Sequence, residues 1–90
     1  MRSVDVVLLT KPDCAFCDEA KQILERLGSE FPLELRLVPV DSSEGEALAI
    51  RHGLLFPPGI LLDGKPFSYG RLSEGKLRRL LPLLCDVQQR

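Results

Sequence analysis

A chain of 90 residues has room for one hydrophobic core and not two, so a single domain spanning residues 1–90 is expected. Its 44% apolar and 28% charged residues exclude a disordered chain. Twelve basic against thirteen acidic side chains leave no positive surplus, which argues against nucleic acid as a partner.

The first element is "VDVVLLT", Val4 to Thr10, β-branched and apolar with little alternation, as in a strand covered on both faces. Its apolar run, "VVLL", is too short for a secretory core or a membrane span. A cytoplasmic protein with no membrane contact is therefore expected. Pro12 breaks the strand. From Ala15 to about Leu27, Phe16, Ala20, Ile23, Leu24 and Leu27 recur at helical steps, with Asp18, Glu19, Lys21, Glu25 and Arg26 on the other face. Gly28 is the expected C-terminal stop.

Leu33 to Val40 reads as a second strand, and Pro39 places it at a sheet edge or marks its end. Serines then cap a short helix from about Glu44 to His52, stopped by Gly53. Ile60–Leu62 and Pro66–Gly70 flank Asp63-Gly64, a strong hairpin signal. Ser73 caps a last helix holding Leu77, Leu80, Leu81 and Leu84, expected to fray over residues 86–90. The order is βαβαββα. A helix between the first two strands implies a parallel, right-handed crossover, and the last two strands form an antiparallel hairpin. The fold class is α/β, a mixed four-stranded sheet with helices on both faces.

Three cysteines, Cys14, Cys17 and Cys85, are an odd number, unlike the paired framework of a secreted disulfide scaffold. In a reducing compartment a CxxC is catalytic or metal-binding before it is a permanent staple. Cys14 falls where the first strand gives way to the first helix, and free N–H groups there stabilise an anion. A thiolate at Cys14 would thus have a lowered pKa and act as nucleophile. Cys17, one turn on, is placed to resolve a mixed disulfide formed on Cys14. Zinc needs four ligands, and only His52 and Cys85 remain, far apart in sequence, so no metal is expected. An iron–sulfur cluster shared between two subunits needs one cysteine from each, and stays open beside the reading of two inert thiols.

Three stretches carry a resemblance that spans nearly the whole chain: "LLTKPDCAFCDEAKQILERL", "RHGLLFPPGILLDGK" and "YGRLSEGKLRRLL". Together they resemble the thioredoxin superfamily, in its small glutaredoxin-like branch. The resemblance implies a thioredoxin-like fold and a redox-active disulfide Cys14–Cys17. It also implies a cis-proline beside them, at Pro58 by counting back from Asp63-Gly64, or at Pro57 if the loop is shifted by one. If Pro58 is cis, the residue that clamps the substrate backbone is Pro57, which keeps its acceptor and lacks its donor. A lost hydrogen bond of this kind is worth roughly 1 kcal/mol.

Lys11 matches the family's glutathione-contacting lysine. Gly70 and Ser73 stand where the family carries a glycine pair and an aspartate for the γ-glutamyl carboxylate, and Arg71 lies between them. Ala15-Phe16 replaces the family's common Pro-Tyr, and Asp13 opposes thiolate formation next to the nucleophile.

The implied activity is thiol–disulfide oxidoreduction on a disulfide-containing protein or a glutathione mixed disulfide. Electrons would come from glutathione or a thioredoxin system, with no tightly bound cofactor and a monomeric chain. The rival is a binding module, either a non-catalytic thioredoxin-fold adaptor or a cluster-carrying glutaredoxin-like protein. Plainer readings stand beside the site residues. Lys11 is a solvated lysine, Phe16 a helix-packing or rim residue, and His52 a cation at a helix end. Cys85 packs at the core, and Arg71, Lys76, Arg78 and Arg79 form a solvated basic face.

Overall fold

The computed structural model describes residues 2–85. Strand β1 (Val4–Thr10) leads through a short loop into helix α1 (Ala15–Gly28). Strand β2 (Leu33–Pro39), helix α2 (Ser43–His52), strands β3 (Gly59–Leu62) and β4 (Lys65–Tyr69), and helix α3 (Glu74–Cys85) follow. The sheet order is β2-β1-β3-β4. β1 and β2 are parallel, as their helical crossover requires, and β3 and β4 are antiparallel, as their hairpin requires; β1 and β3 are also antiparallel. β2 and β4 are the outer strands, and each contains a proline, Pro39 and Pro66.

Strand alternation sends Val4, Val6, Leu8, Ile60 and Leu62 to one face of the sheet. There they meet Ala20, Ile23, Leu24 and Leu27 of α1 and Leu77, Leu81 and Cys85 of α3. The periods agree: four-residue steps place Leu77, Leu81 and Cys85 on one stripe, and all are fully buried. The opposite face is smaller. Leu9, Val38, Leu54 and Leu61 are covered there by Leu48 and Ala49 of α2. Helices thus flank the sheet on both sides, and the main core lies under α1 and α3. No helix among the described residues is long and apolar enough to cross a membrane.

Local signals set most boundaries. Ser42 caps α2 by accepting from the Gly45 amide at 3.0 Å, and Gly53 ends it in the left-handed region at φ 65. Asp63 and Gly64 both have positive φ, 49 and 81, as a two-residue hairpin turn requires. Asp63 also accepts from the Asp5 amide and pairs with Arg2 at 2.8 Å, locking the hairpin to β1. One expectation is corrected: Gly28 is the last helical residue of α1 and not its stop. Ser29 takes that role, with its amide and hydroxyl both donating to the Arg26 carbonyl, at 3.1 and 2.7 Å. A side chain able to satisfy a terminal carbonyl ends the helix without a left-handed glycine. The expected fraying over residues 86–90 lies outside the described residues.

Candidate active site

The turn after β1 builds the site from three local facts. Asp13 sits at φ 55, a region that aspartate tolerates better than most side chains, and it turns the chain out of the sheet. Cys14 then adopts an extended conformation as the N-cap of α1, and its sulfur accepts from the Cys17 amide at 3.1 Å. A cap position normally taken by serine or aspartate is held here by a sulfur, so the helix's terminal N–H aims at the group that would carry thiolate charge. Cys14 and Cys17 are joined as a disulfide with Cα atoms 5.1 Å apart. The two sulfurs live in different surroundings: Cys14 is partly exposed, whereas Cys17 is 1% exposed and packed on the core side of α1.

The second wall comes from the loop before β3. Leu9 pairs with Gly59, so the antiparallel register brings Pro58 to the end of the sheet from which the Cys14 turn departs. The Pro57–Pro58 peptide bond is cis. Pro58 is buried and Pro57 partly so. Gly70, at φ 79, ties this loop down, its amide donating to the Pro58 carbonyl at 2.9 Å and the Phe56 carbonyl at 3.2 Å. Gly70 therefore acts on the proline loop through its backbone. Next to it, Phe56 and Tyr69 stand with ring centroids 6.0 Å apart, both largely exposed along with Leu55. Phe16, between the two cysteines, is also exposed, at 49%. The loop aromatic and Leu55 carried no spacing signal in the sequence, because their neighbourhood depends on a contact between distant segments.

Arg71 lies across the site. Its guanidinium carbon is 5.8 Å from the Phe16 ring centroid, and its Nε donates to Glu19 Oε1 at 3.3 Å. Beyond it, a groove of about 580 Å³ opens between α1 and the start of α3, lined by Glu19, Gln22, Arg26, Arg71, Ser73 and Glu74. Ser73 spends its hydroxyl on capping α3, accepting from the Lys76 amide at 3.3 Å. The basic face expected around α3 is largely compensated. Arg78 bridges Glu30 at 2.6 Å and Glu74 at 3.3 Å, and Arg26 pairs with Glu74 at 2.8 Å. The Arg26 guanidinium accordingly holds the Glu74 carboxyl below the usual carboxylate range, and Arg78 does the same for Glu30. Lys11 is exposed in the loop ahead of Cys14, and Lys76 and Arg79 are exposed on α3.

Phe16, Pro57, Pro58, Gly70 and Arg71 are thus linked around the dithiol turn, with Ser73 at the far end of the groove. His52 stays at the end of α2 and Cys85 in the main core. Among the described residues, no group of three or more His, Cys, Asp or Glu side chains is placed to hold a metal ion.

A mixed sheet with a dithiol at the start of its first helix and a cis-proline loop entering the next strand defines a thioredoxin-fold protein. The solved structure of a mutant thioredoxin from Halobacterium salinarum has this fold, with a TM-score of 0.71 at 23% identity, over 91% of this chain and 74% of its own. The family described as "Glutaredoxin-like domain (DUF836)" matches residues 5–82, and the chain belongs to this glutaredoxin-like branch of the thioredoxin superfamily. A protein described as a probable thioredoxin from Archaeoglobus fulgidus is 28% identical over 82% of this chain and 81% of its own length. A glutaredoxin from Vernicia fordii is 33% identical over 94% of this chain and 85% of its own. Family and paired cysteines together support a redox-type function.

Proposed function

We propose that the chain is a cytoplasmic thiol–disulfide oxidoreductase that reduces or exchanges disulfides through Cys14 and Cys17. The observation that carries this reading is the asymmetry of the pair. One sulfur is reachable and receives a helix amide, while the other is buried one turn away. In the reduced form, the Cys14 thiolate attacks one sulfur of a substrate disulfide, forming a mixed disulfide and releasing the other sulfur as a thiolate. Cys17, as thiolate, attacks the Cys14 sulfur, re-forms the intramolecular disulfide and releases the second substrate sulfur. The substrate has gained two electrons and the dithiol has lost two. A thiol donor, glutathione or a thioredoxin system, returns them by the same exchange run in reverse.

The surrounding residues serve binding. Pro57 has no N–H, so a substrate strand passing it meets a carbonyl acceptor without the matching donor. Phe16, two positions after Cys14, and the exposed Phe56–Tyr69 pair beside the proline loop offer apolar contact to a substrate, and Lys11, three positions before Cys14, offers a cation. Gly70 holds the proline loop, Ser73 closes the groove, and Arg71 spans the two. Neither a metal nor a resident cofactor enters these steps.

The test is reduction of insulin and of a glutathione mixed disulfide by purified protein, wild type against Cys14→Ser. Loss of both activities in the variant is expected. A Cys14→Ser protein that reduces disulfides as well as wild type would overturn the assignment. A brown protein whose visible absorption disappears in Cys14→Ser would replace it with cluster carriage.

A further inference from the structure

The groove beside the dithiol contains two arginines, and neither is uncommitted. Arg26 is paired with Glu74 at 2.8 Å, and Arg71 with Glu19 at 3.3 Å. Arg71 is also the cation stacked on Phe16, the residue between the two cysteines. Phe16 lies between the cysteines and against Arg71, so an exchange partner on Cys14 that extends over Phe16 meets Arg71 and, beyond it, this groove. Glu19 takes only the Nε–H of Arg71, so a carboxylate arriving there would share a guanidinium already paired with one carboxylate and would sit beside that charge. Asp13 and Asp18, both exposed and flanking the pair in sequence, add negative charge on the same turn. A neutral partner meets no such competition, and a cationic one finds Glu19 itself as a counter-charge.

We propose that Glu19 is a specificity-determining residue which, by occupying Arg71, turns the site away from anionic thiols and towards neutral or basic disulfides. This rests on the reading of Cys14 as the exchanging sulfur. Glu19 touches no reacting atom; it acts through Arg71 and through its own field. Its position follows from helix geometry, since it is one turn on from Phe16 along α1, on the side that faces Arg71. The pair is exposed, with side-chain exposures of 68% and 40%, so its influence is screened and its effect is a bias and not a block.

The test uses the full chain carrying Cys17→Ser, so that a mixed disulfide on Cys14 persists. The protein is equilibrated with one of three symmetric disulfides: glutathione disulfide (anionic), hydroxyethyl disulfide (neutral) or cystamine (cationic). In each case the Cys14 thiolate forms a bond to one sulfur and expels the other as a thiolate, with no net oxidation. Intact mass gives the adduct fraction. Glu19→Gln is expected to raise the glutathione adduct equilibrium relative to the neutral adduct by about two- to fivefold, the size of one exposed charge pair. The cystamine adduct is expected to move the other way.

Glu19→Asp should restore the wild-type order, adding Arg71→Gln to Glu19→Gln should remove most of the glutathione gain, and about 1 M salt should compress every difference. An unchanged ratio in Glu19→Gln, or a change that ignores ligand charge or salt, would overturn the proposal. Because any accessible thiol exchanges with these reagents, the adduct ratios are readable even if insulin reduction fails. Loss of the oxidoreductase reading and loss of the charge preference are therefore separate results.

Discussion

Replacing Gly45 by alanine sets two effects of opposite sign against each other. Gly45 is in the first turn of α2, and alanine is the better helix former by about 1 kcal/mol. Propensity alone thus predicts stabilisation. The packing says otherwise. A methyl group at this position would run into the Pro39 carbonyl oxygen, and would stand 2.9 Å from the carbonyl carbon and 3.0 Å from Val40 Cα. These are backbone atoms, so no rotamer change relieves the contact. The Pro39 carbonyl also accepts from the Ser42 amide at 3.1 Å and the Ser42 hydroxyl at 2.7 Å, so moving it disturbs the cap of the same helix. Overpacking of this kind costs about 1–3 kcal/mol, and a weakened cap adds about 1 kcal/mol. Against a propensity gain of about 1 kcal/mol, the net is a loss of about 1–3 kcal/mol. For a chain of this size that is a fall in Tm of roughly 5–20 °C. Thermal and urea unfolding followed by circular dichroism measures it, with Glu46→Ala as an exposed neighbour expected to change stability by less than about 0.5 kcal/mol. A Gly45→Ala protein as stable as wild type, or more so, would refute the claim that α2 sits directly on the end of β2.

Two further outcomes follow from the charges and the thiols. The Arg2 guanidinium and the Asp5 amide hold the Asp63 carboxyl below its usual range. A depressed folded value contributes stability that is present above the unfolded pKa of about 3.9 and is lost as pH falls through the folded one. Asp63→Asn, which keeps a side chain suited to positive φ, should flatten the acid limb of the stability curve relative to wild type; parallel curves between about pH 2 and 5 would contradict this. Cys17→Ser should accumulate a covalent adduct with a disulfide substrate, visible by mass spectrometry and reversed by dithiothreitol. Failure to trap any adduct would mean that Cys17 is not the resolving thiol.

Much of the architecture was legible because it is written in local periods. Val4–Thr10 and the stripe of Leu77, Leu81 and Cys85 announce a strand and a helix through spacing, and Asp63-Gly64 and Gly53 through backbone demands that few residues meet. The end of α1 was misplaced because glycine is only one way to stop a helix, and Ser29 does it with a hydroxyl. The dithiol was equally legible, since Cys14 and Cys17 lie within one turn. Arg71 was marked as a contact residue, but its pairing with Glu19 across 52 positions depends on how α1 meets the segment before α3. The Phe56–Tyr69 contact and the closeness of Gly45 to Pro39 were hidden for the same reason. Each is a product of tertiary docking, on which neither propensity nor periodicity bears.

The prolines of the outer strands have a consequence for how the sheet meets its neighbours. An open sheet offers its margins to any extended chain that can continue the ladder. Here Pro39 on one margin and Pro66 on the other each remove a backbone donor, and Glu34, Arg36 and Lys65 place charge beside them. An extended chain therefore finds little to zip onto along either flank, and a passing contact is steered away from becoming an aggregate.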